Sequence, residues 1–116
     1  MIIAVDFDGT LVTDCYPNIG IPKEEIVQGI KEHKEAGNKI ILWTCRTGIA
    51  LTEAIDFCKR KLGIEFDAVN DNLPEIQKEW GQNCRKVYAD EYWDDKNIPI
   101  LETDNLTYKL HKGGNV

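Results

Sequence analysis

Long apolar runs are missing from this sequence, as are the marks of a secreted, zinc-binding or strongly basic protein. No apolar stretch approaches the roughly 20 residues that cross a bilayer, so no membrane partner is expected. Met1-Ile2-Ile3-Ala4 carries no basic leader and runs straight into patterned sequence. No signal peptide is expected there, and the chain reads as cytoplasmic. Four cysteines, Cys15, Cys45, Cys58 and Cys84, show no C-x-x-C spacing, and only His33 and His111 could join them as soft ligands. That argues against zinc and for reduced thiols, some of them buried as small apolar groups.

Positive charge is also scarce. The 14 Lys and Arg are outnumbered by 20 Asp and Glu, for a formal net charge of -6. This disfavours broad binding to nucleic acid, which scales with the phosphates neutralised, without excluding a local basic patch. Lys59-Arg60-Lys61 is the only basic run and reads as a solvated helix face. There is no internal repeat and no linker. A chain of 116 residues, 42% hydrophobic and 29% charged, suffices for one sheet with its helices and not for a second core. The expectation is one domain over residues 1–116, with a core over 1–101 and a polar tail over 102–116 that frays beyond Leu110.

What the sequence does have is alternation. Residues 1–5 form a continuous apolar strand, and a loop over 13–21 holds Pro17 and Gly20. Pro22 opens a helix over 23–36 with Ile26, Val27 and Ile30 on one stripe, and Gly37-Asn38 ends it. A second strand covers 39–43, and a helix over 48–62 buries Leu51, Ile55, Cys58 and Leu62 before Gly63 stops it. A short strand at 66–69 follows, then a helix from Pro74 to Trp80 ended by Gly81, then a strand over 86–93, with 98–101 as a candidate edge strand. Strands alternating with crossover helices predict an α/β fold: a doubly wound, Rossmann-like parallel sheet in three α/β/α layers, with its site at the carboxyl ends of the strands.

The first strand ends in Val5-Asp6-Phe7-Asp8-Gly9-Thr10. Alternation puts Asp6 and Asp8 on one side of the backbone, where Gly9 lets the chain leave the sheet. Two carboxylates in one crevice repel unless one is protonated or a hard cation lies between them, which points to Mg2+ and phosphate chemistry.

Asp6-Phe7-Asp8-Gly9-Thr10-Leu11-Val12 resembles the first motif of the haloacid dehalogenase-like (HAD) superfamily, mostly Mg2+-dependent phosphatases that work through an aspartyl-phosphate. The resemblance covers residues 1 to about 97. It implies that Asp6 is the nucleophile, that Asp8 is the acid/base, and that the backbone carbonyl of Asp8 binds metal. A carboxylate nucleophile divides the slow hydrolysis of a phosphate monoester into two easier displacements.

The remaining strand ends supply further candidates. Thr44 closes an apolar strand and precedes Cys45-Arg46-Thr47-Gly48, where a hydroxyl and free helix amides make a phosphate cradle. Thr44 matches the family's second motif, and Arg46 could add a bidentate contact to phosphate or substrate. Gly9, Thr10, Cys45 and Arg46 are therefore candidate substrate-binding residues. Asn70 and Asn72, within Asn70-Asp71-Asn72, could read substrate hydroxyls or a base, although an Asx-rich turn explains them equally well. Asp94-Asp95 takes the form of the family's fourth motif, with Asp94 favoured as metal ligand and Asp95 as its direct or water-mediated partner; Asp90 leaves that register open. Lys86 is the candidate for the lysine that holds nucleophile and phosphate.

Many HAD phosphatases insert a cap after the first motif or the third strand. Here the intervals hold only residues 13–21 and 73–85, too few for one. Capless relatives act on large or exposed phosphates or borrow a lid from a neighbouring subunit, so the sequence is compatible with a homo-oligomer. A noncatalytic phosphoacceptor or metal-binding regulatory domain, resembling receiver domains, is the alternative. Those place their acceptor after the third strand.

Overall fold

β1 (Ile2–Val5), with three of its four residues β-branched, is a strand stable only where both of its faces are covered. The computed structural model, which describes residues 1–102 and 108–110, supplies that cover. β1 lies inside a four-stranded sheet with β2 (Lys39–Leu42), β3 (Ala68–Val69) and β4 (Glu91–Trp93), ordered β3-β2-β1-β4 and parallel throughout. Strand alternation divides the core in two. Ile3, Val5, Ile40 and Leu42 pack with Val27 and Ile30 of α1 (Glu24–Glu35) and Ala54 of α2 (Gly48–Phe57). Ala4 and Ile41 pack on the other side with Leu73, Val87, Ala89 and Ile76 of α3 (Pro74–Trp80).

The chain therefore builds outward from β1 to β2 and β3 on one face, then crosses to the other face and returns beside β1 as β4. This is the Rossmann-like arrangement, and its direction reverses between β1 and β4. A crevice at the carboxyl ends of the strands is expected at that reversal.

Several elements are shorter than their sequence patterns. The second helix is α-helical only to Phe57 and closes in a π-helical turn, Cys58–Leu62, before Gly63. That turn carries the basic run on its exposed side, where Lys59 pairs with Glu65 at 3.3 Å and Arg60 with Asp56 at 2.9 Å. All four cysteines are free, and only Cys58 is buried.

The expected strand over residues 86–93 is reduced to Glu91–Trp93, because side chains satisfy the backbone before it. The Tyr88 N–H donates to Asn72 Oδ1 at 2.6 Å, the Val87 carbonyl accepts from the Tyr92 hydroxyl at 2.6 Å, and the Asp90 carboxylate takes the Ile2 N–H at 2.6 Å. The edge strand expected at 98–101 does not join the main sheet. β5 (Ile100–Glu102) pairs antiparallel with β6 (Tyr108–Leu110) as a separate two-stranded sheet. The fraying expected beyond Leu110 lies outside the described residues.

Asn72 is the hub of the segment that feeds β4. Only 2% exposed, it donates to Asn83 Oδ1 at 2.8 Å and to the Cys84 carbonyl at 3.0 Å while accepting from Tyr88. Truncation would remove these part-buried bonds around a buried side chain, so Asn72→Ala is expected to lose about 1–2 kcal/mol. Urea denaturation followed by circular dichroism checks this, and a loss below about 0.5 kcal/mol would contradict the assignment.

Candidate functional site

Register carries two distant acids to one level. Val5 pairs with Trp93, and the Asp6 N–H donates to the Trp93 carbonyl at 2.9 Å, so Asp6 and Asp94 leave adjacent strands side by side. One carboxylate oxygen from each of Asp6, Asp94 and Asp95 lies within 4.8 Å of the others. The donor set is oxygen only, which suits a hard divalent cation better than zinc.

Asp95 is aimed by the loop after β1. Its N–H donates to Thr10 Oγ1 at 2.9 Å, and the Thr10 hydroxyl donates to Asp95 Oδ1 at 3.4 Å. Gly9 sits at φ +90°, and a Cβ there would come within 2.7 Å of Asp95 Cγ. Both the backbone conformation and the close approach restrict this position to glycine. Asp94 Oδ1 accepts the Lys96 N–H at 2.9 Å, an Asx turn that fixes its side chain.

Negative charge gathered here is incompletely offset. Asp6 is pushed up to about 6, chiefly by burial; the Phe7 backbone N–H pulls the other way, and the charges of Asp94, Asp95 and Asp8 add to the rise. The fold thus raises the proton affinity of Asp6 without keeping it protonated at neutral pH.

Asp8 turns away from this cluster. Arg46 Nε donates to Asp8 Oδ2 and Arg46 Nη2 to Asp8 Oδ1, each at 2.8 Å, a bidentate pair with the guanidinium 1% and the carboxylate 17% exposed. Arg46 also donates to the carbonyls of Pro17 at 3.4 Å, Asn18 at 2.9 Å and Ala50 at 3.2 Å. Its hydrogen bond to Asp8 holds Arg46 above the usual guanidinium range. Read from sequence as a substrate contact, Arg46 instead directs its donors to the protein itself.

Thr44 and Asn70 stand together after β2 and β3. The Thr44 N–H donates to Asn70 Oδ1 at 2.8 Å, and Thr44 Oγ1 accepts the Arg46 N–H at 3.1 Å. Asn70 takes a positive φ of 51°, which asparagine tolerates better than most residues. Cys45 is exposed beside them. Asn72, read as a substrate contact, is spent on the interior hydrogen bonds described above.

Three lysines border the acids, of which Lys96, largely exposed, pairs with Asp95 Oδ2 at 3.7 Å. Lys86 is exposed with Nζ 5.3 Å over the Tyr92 ring, and it shares a cleft of about 520 Å³ with Asp94. Lys23, at the start of the helix expected over 23–36 and just ahead of α1, donates from Nζ to the Gly9 carbonyl at 2.6 Å and lines a cleft of about 510 Å³ with Asp94 and Asp95. Only its position just after Pro22 hinted that it could reach back to the loop. Among the described residues, no helix is long and apolar enough to cross a membrane.

Fold and site together define an α/β protein whose open parallel sheet carries three carboxylates at its topological switch point. A solved structure of a conserved protein from Bacteroides thetaiotaomicron is similar to this chain at 42% identity, covering 84% of this chain and 77% of its own, with a TM-score of 0.73. This chain belongs to the same family as that protein. No family model matches the chain, and no curated protein does.

The raised Asp6 value has a sign for stability. Folded Asp6 binds its proton at about 6 against 3.8 for the unfolded reference, so its stabilising effect is complete below 3.8 and is lost as pH rises through 6. In chelator-treated protein, the wild-type Tm is expected to fall between pH 5 and 7 relative to Asp6→Asn, which should be the more stable protein at pH 7. Calorimetry of both proteins across that range checks it; parallel curves would refute the assignment.

Proposed function

We propose that this chain is a phosphomonoester hydrolase of the HAD type, dependent on Mg2+ and working through an aspartyl-phosphate on Asp6. The observation that carries the reading is the convergence of Asp6, Asp94 and Asp95 at the switch point, with Asp8 fixed two residues from Asp6. Mg2+ held by Asp6, Asp94 and Asp95, with the Asp8 backbone carbonyl, would neutralise charge between the Asp6 carboxylate and the phosphate.

An oxygen of Asp6 attacks phosphorus, the bond from phosphorus to the leaving oxygen breaks, and Asp8 gives that oxygen its proton. In the second step Asp8 takes a proton from water, whose oxygen attacks the acyl phosphate and frees Asp6 and inorganic phosphate. Asp8 must carry a proton for the first step, and that proton would occupy a lone-pair position that Arg46 does not use. A carboxylate has about four lone-pair positions, and the guanidinium fork uses two of them.

Thr44 Oγ1 accepts from the Arg46 N–H, so its own proton remains to be given to a phosphate oxygen. Lys86 is the lysine assigned to offset the phosphate's charge, and Lys23, bordering Asp94 and Asp95, is a second. With only a short loop over 13–21 between the first motif and α1, the phosphates most accessible to Asp6 are those of large or exposed substrates.

Release of phosphate from para-nitrophenyl phosphate tests the reading. Wild type is expected to turn over only with Mg2+, and Asp6→Asn to lose at least about 10³-fold in kcat. Wild-type rates in Asp6→Asn would refute Asp6 as nucleophile, and stoichiometric phosphate trapping without turnover would favour a phosphoacceptor domain. Mg2+ at millimolar concentration should also raise the Tm of wild type at pH 7 and leave Asp6→Asn nearly unchanged.

A further inference from the structure

Residues 13–21 form a loop closed at its neck and bolted at its tip. At the neck, the Thr13 N–H donates to the Ile21 carbonyl at 2.9 Å and the Ile21 N–H donates to Thr13 Oγ1 at 2.9 Å. Gly20 packs so close that a Cβ there would lie 2.7 Å from the Thr13 carbonyl carbon. At the tip, the carbonyls of Pro17 and Asn18 both accept from Arg46, the residue that grips Asp8.

Two large apolar side chains of this loop are exposed, Ile21 at its neck and Tyr16 near its tip, and of these only Tyr16 stacks on a buried charge. The Tyr16 ring lies 5.1 Å from the Arg46 guanidinium carbon, which lies 5.0 Å from the Phe7 ring beneath it. Tyr16 is nevertheless 60% exposed. The ring is therefore held on one side by a buried cation and open on the other, at small further cost in side-chain freedom when something stacks on it.

We propose that Tyr16 is a specificity-determining residue whose open face stacks on a planar, aromatic leaving group: an aryl or nucleobase-bearing phosphate monoester. This rests on the phosphatase reading, in which Asp8 protonates the leaving oxygen. The leaving group must then extend past Asp8, whose carboxylate is held by Arg46 at 2.8 Å, and the Tyr16 ring lies 5.1 Å from that same guanidinium carbon. An alkyl leaving group would gain little there, because it has no π-face to stack.

The test compares phenyl phosphate, a nucleoside 5′-monophosphate and glycerol phosphate as substrates at saturating Mg2+, for wild type, Tyr16→Phe, Tyr16→Leu and Tyr16→Ala. Tyr16→Leu and Tyr16→Ala are expected to lose about tenfold in kcat/KM on the planar esters, mostly as a rise in KM, and less than about twofold on glycerol phosphate. Tyr16→Phe should behave as wild type. Tyr16→Leu keeps an apolar cover over Arg46, so it serves if Tyr16→Ala folds poorly. Equal losses on all three esters, or no loss on any, would overturn the role of Tyr16 while leaving the phosphatase reading intact. A wild type inactive on all three esters but active on a phosphoprotein or a nucleic-acid end would overturn the role of Tyr16 alone, and one inactive on those as well would overturn both.

Discussion

The bidentate pair between Arg46 and Asp8 is the interaction on which the upper edge of this molecule depends. It joins the end of β1, the loop over 13–21 and the first turn of α2 through one guanidinium. Desolvating both ions is costly, and the arrangement is stable because each remaining donor also finds an acceptor. Loss of either partner would leave a buried charge unmatched, a larger penalty than the pair's own net contribution. The pair is also what separates Asp8 from the other three acids. Asp8 has a buried cation of its own, whereas Asp6, Asp94 and Asp95 share their crevice with only the exposed Lys96 paired to Asp95 at 3.7 Å.

That division explains where the molecule accepts instability. The core is conventional: two apolar clusters on either side of a parallel sheet, with no buried side-chain donor or acceptor unsatisfied among the described residues. Unfavourable electrostatics are confined to the switch point, where three carboxylates meet and Gly9 lets Asp95 approach. Concentrated repulsion of this kind sets the switch point apart from the rest of the sheet.

Much of this was legible in the sequence because it is local. The apolar run before Asp6, Pro22 and Pro74 ahead of their helices, and Gly63 and Gly81 after theirs specify elements by rules that act within one turn. Asp6, Asp94 and Asp95 could be singled out because parallel strands present their carboxyl ends together. What could not be read depends on contacts made at long range. Nothing near Arg46 says that its guanidinium reaches Asp8, 38 residues away. Nothing near Asn72 says that it serves residues 83–88 instead of a ligand, and the shortening of β4 follows from side-chain bonds that become possible only once the sheet exists.

The position of β4 has a consequence for how the molecule comes into being. β1 finds β2 across an ordinary crossover, but it meets β4 only after nearly the whole described chain has been laid down, with Ile3 paired to Glu91. Contacts between residues so far apart in sequence carry a high loop-closure cost and tend to form late. During synthesis from the N-terminus, β1 and β2 can associate while Asp6 still faces water alone, and electrostatic crowding arises only when Asp94 and Asp95 arrive. The acidic crevice thus depends on the pairing of the sheet that spans the most sequence, and its repulsion bears on that pairing and not on the one between β1 and β2.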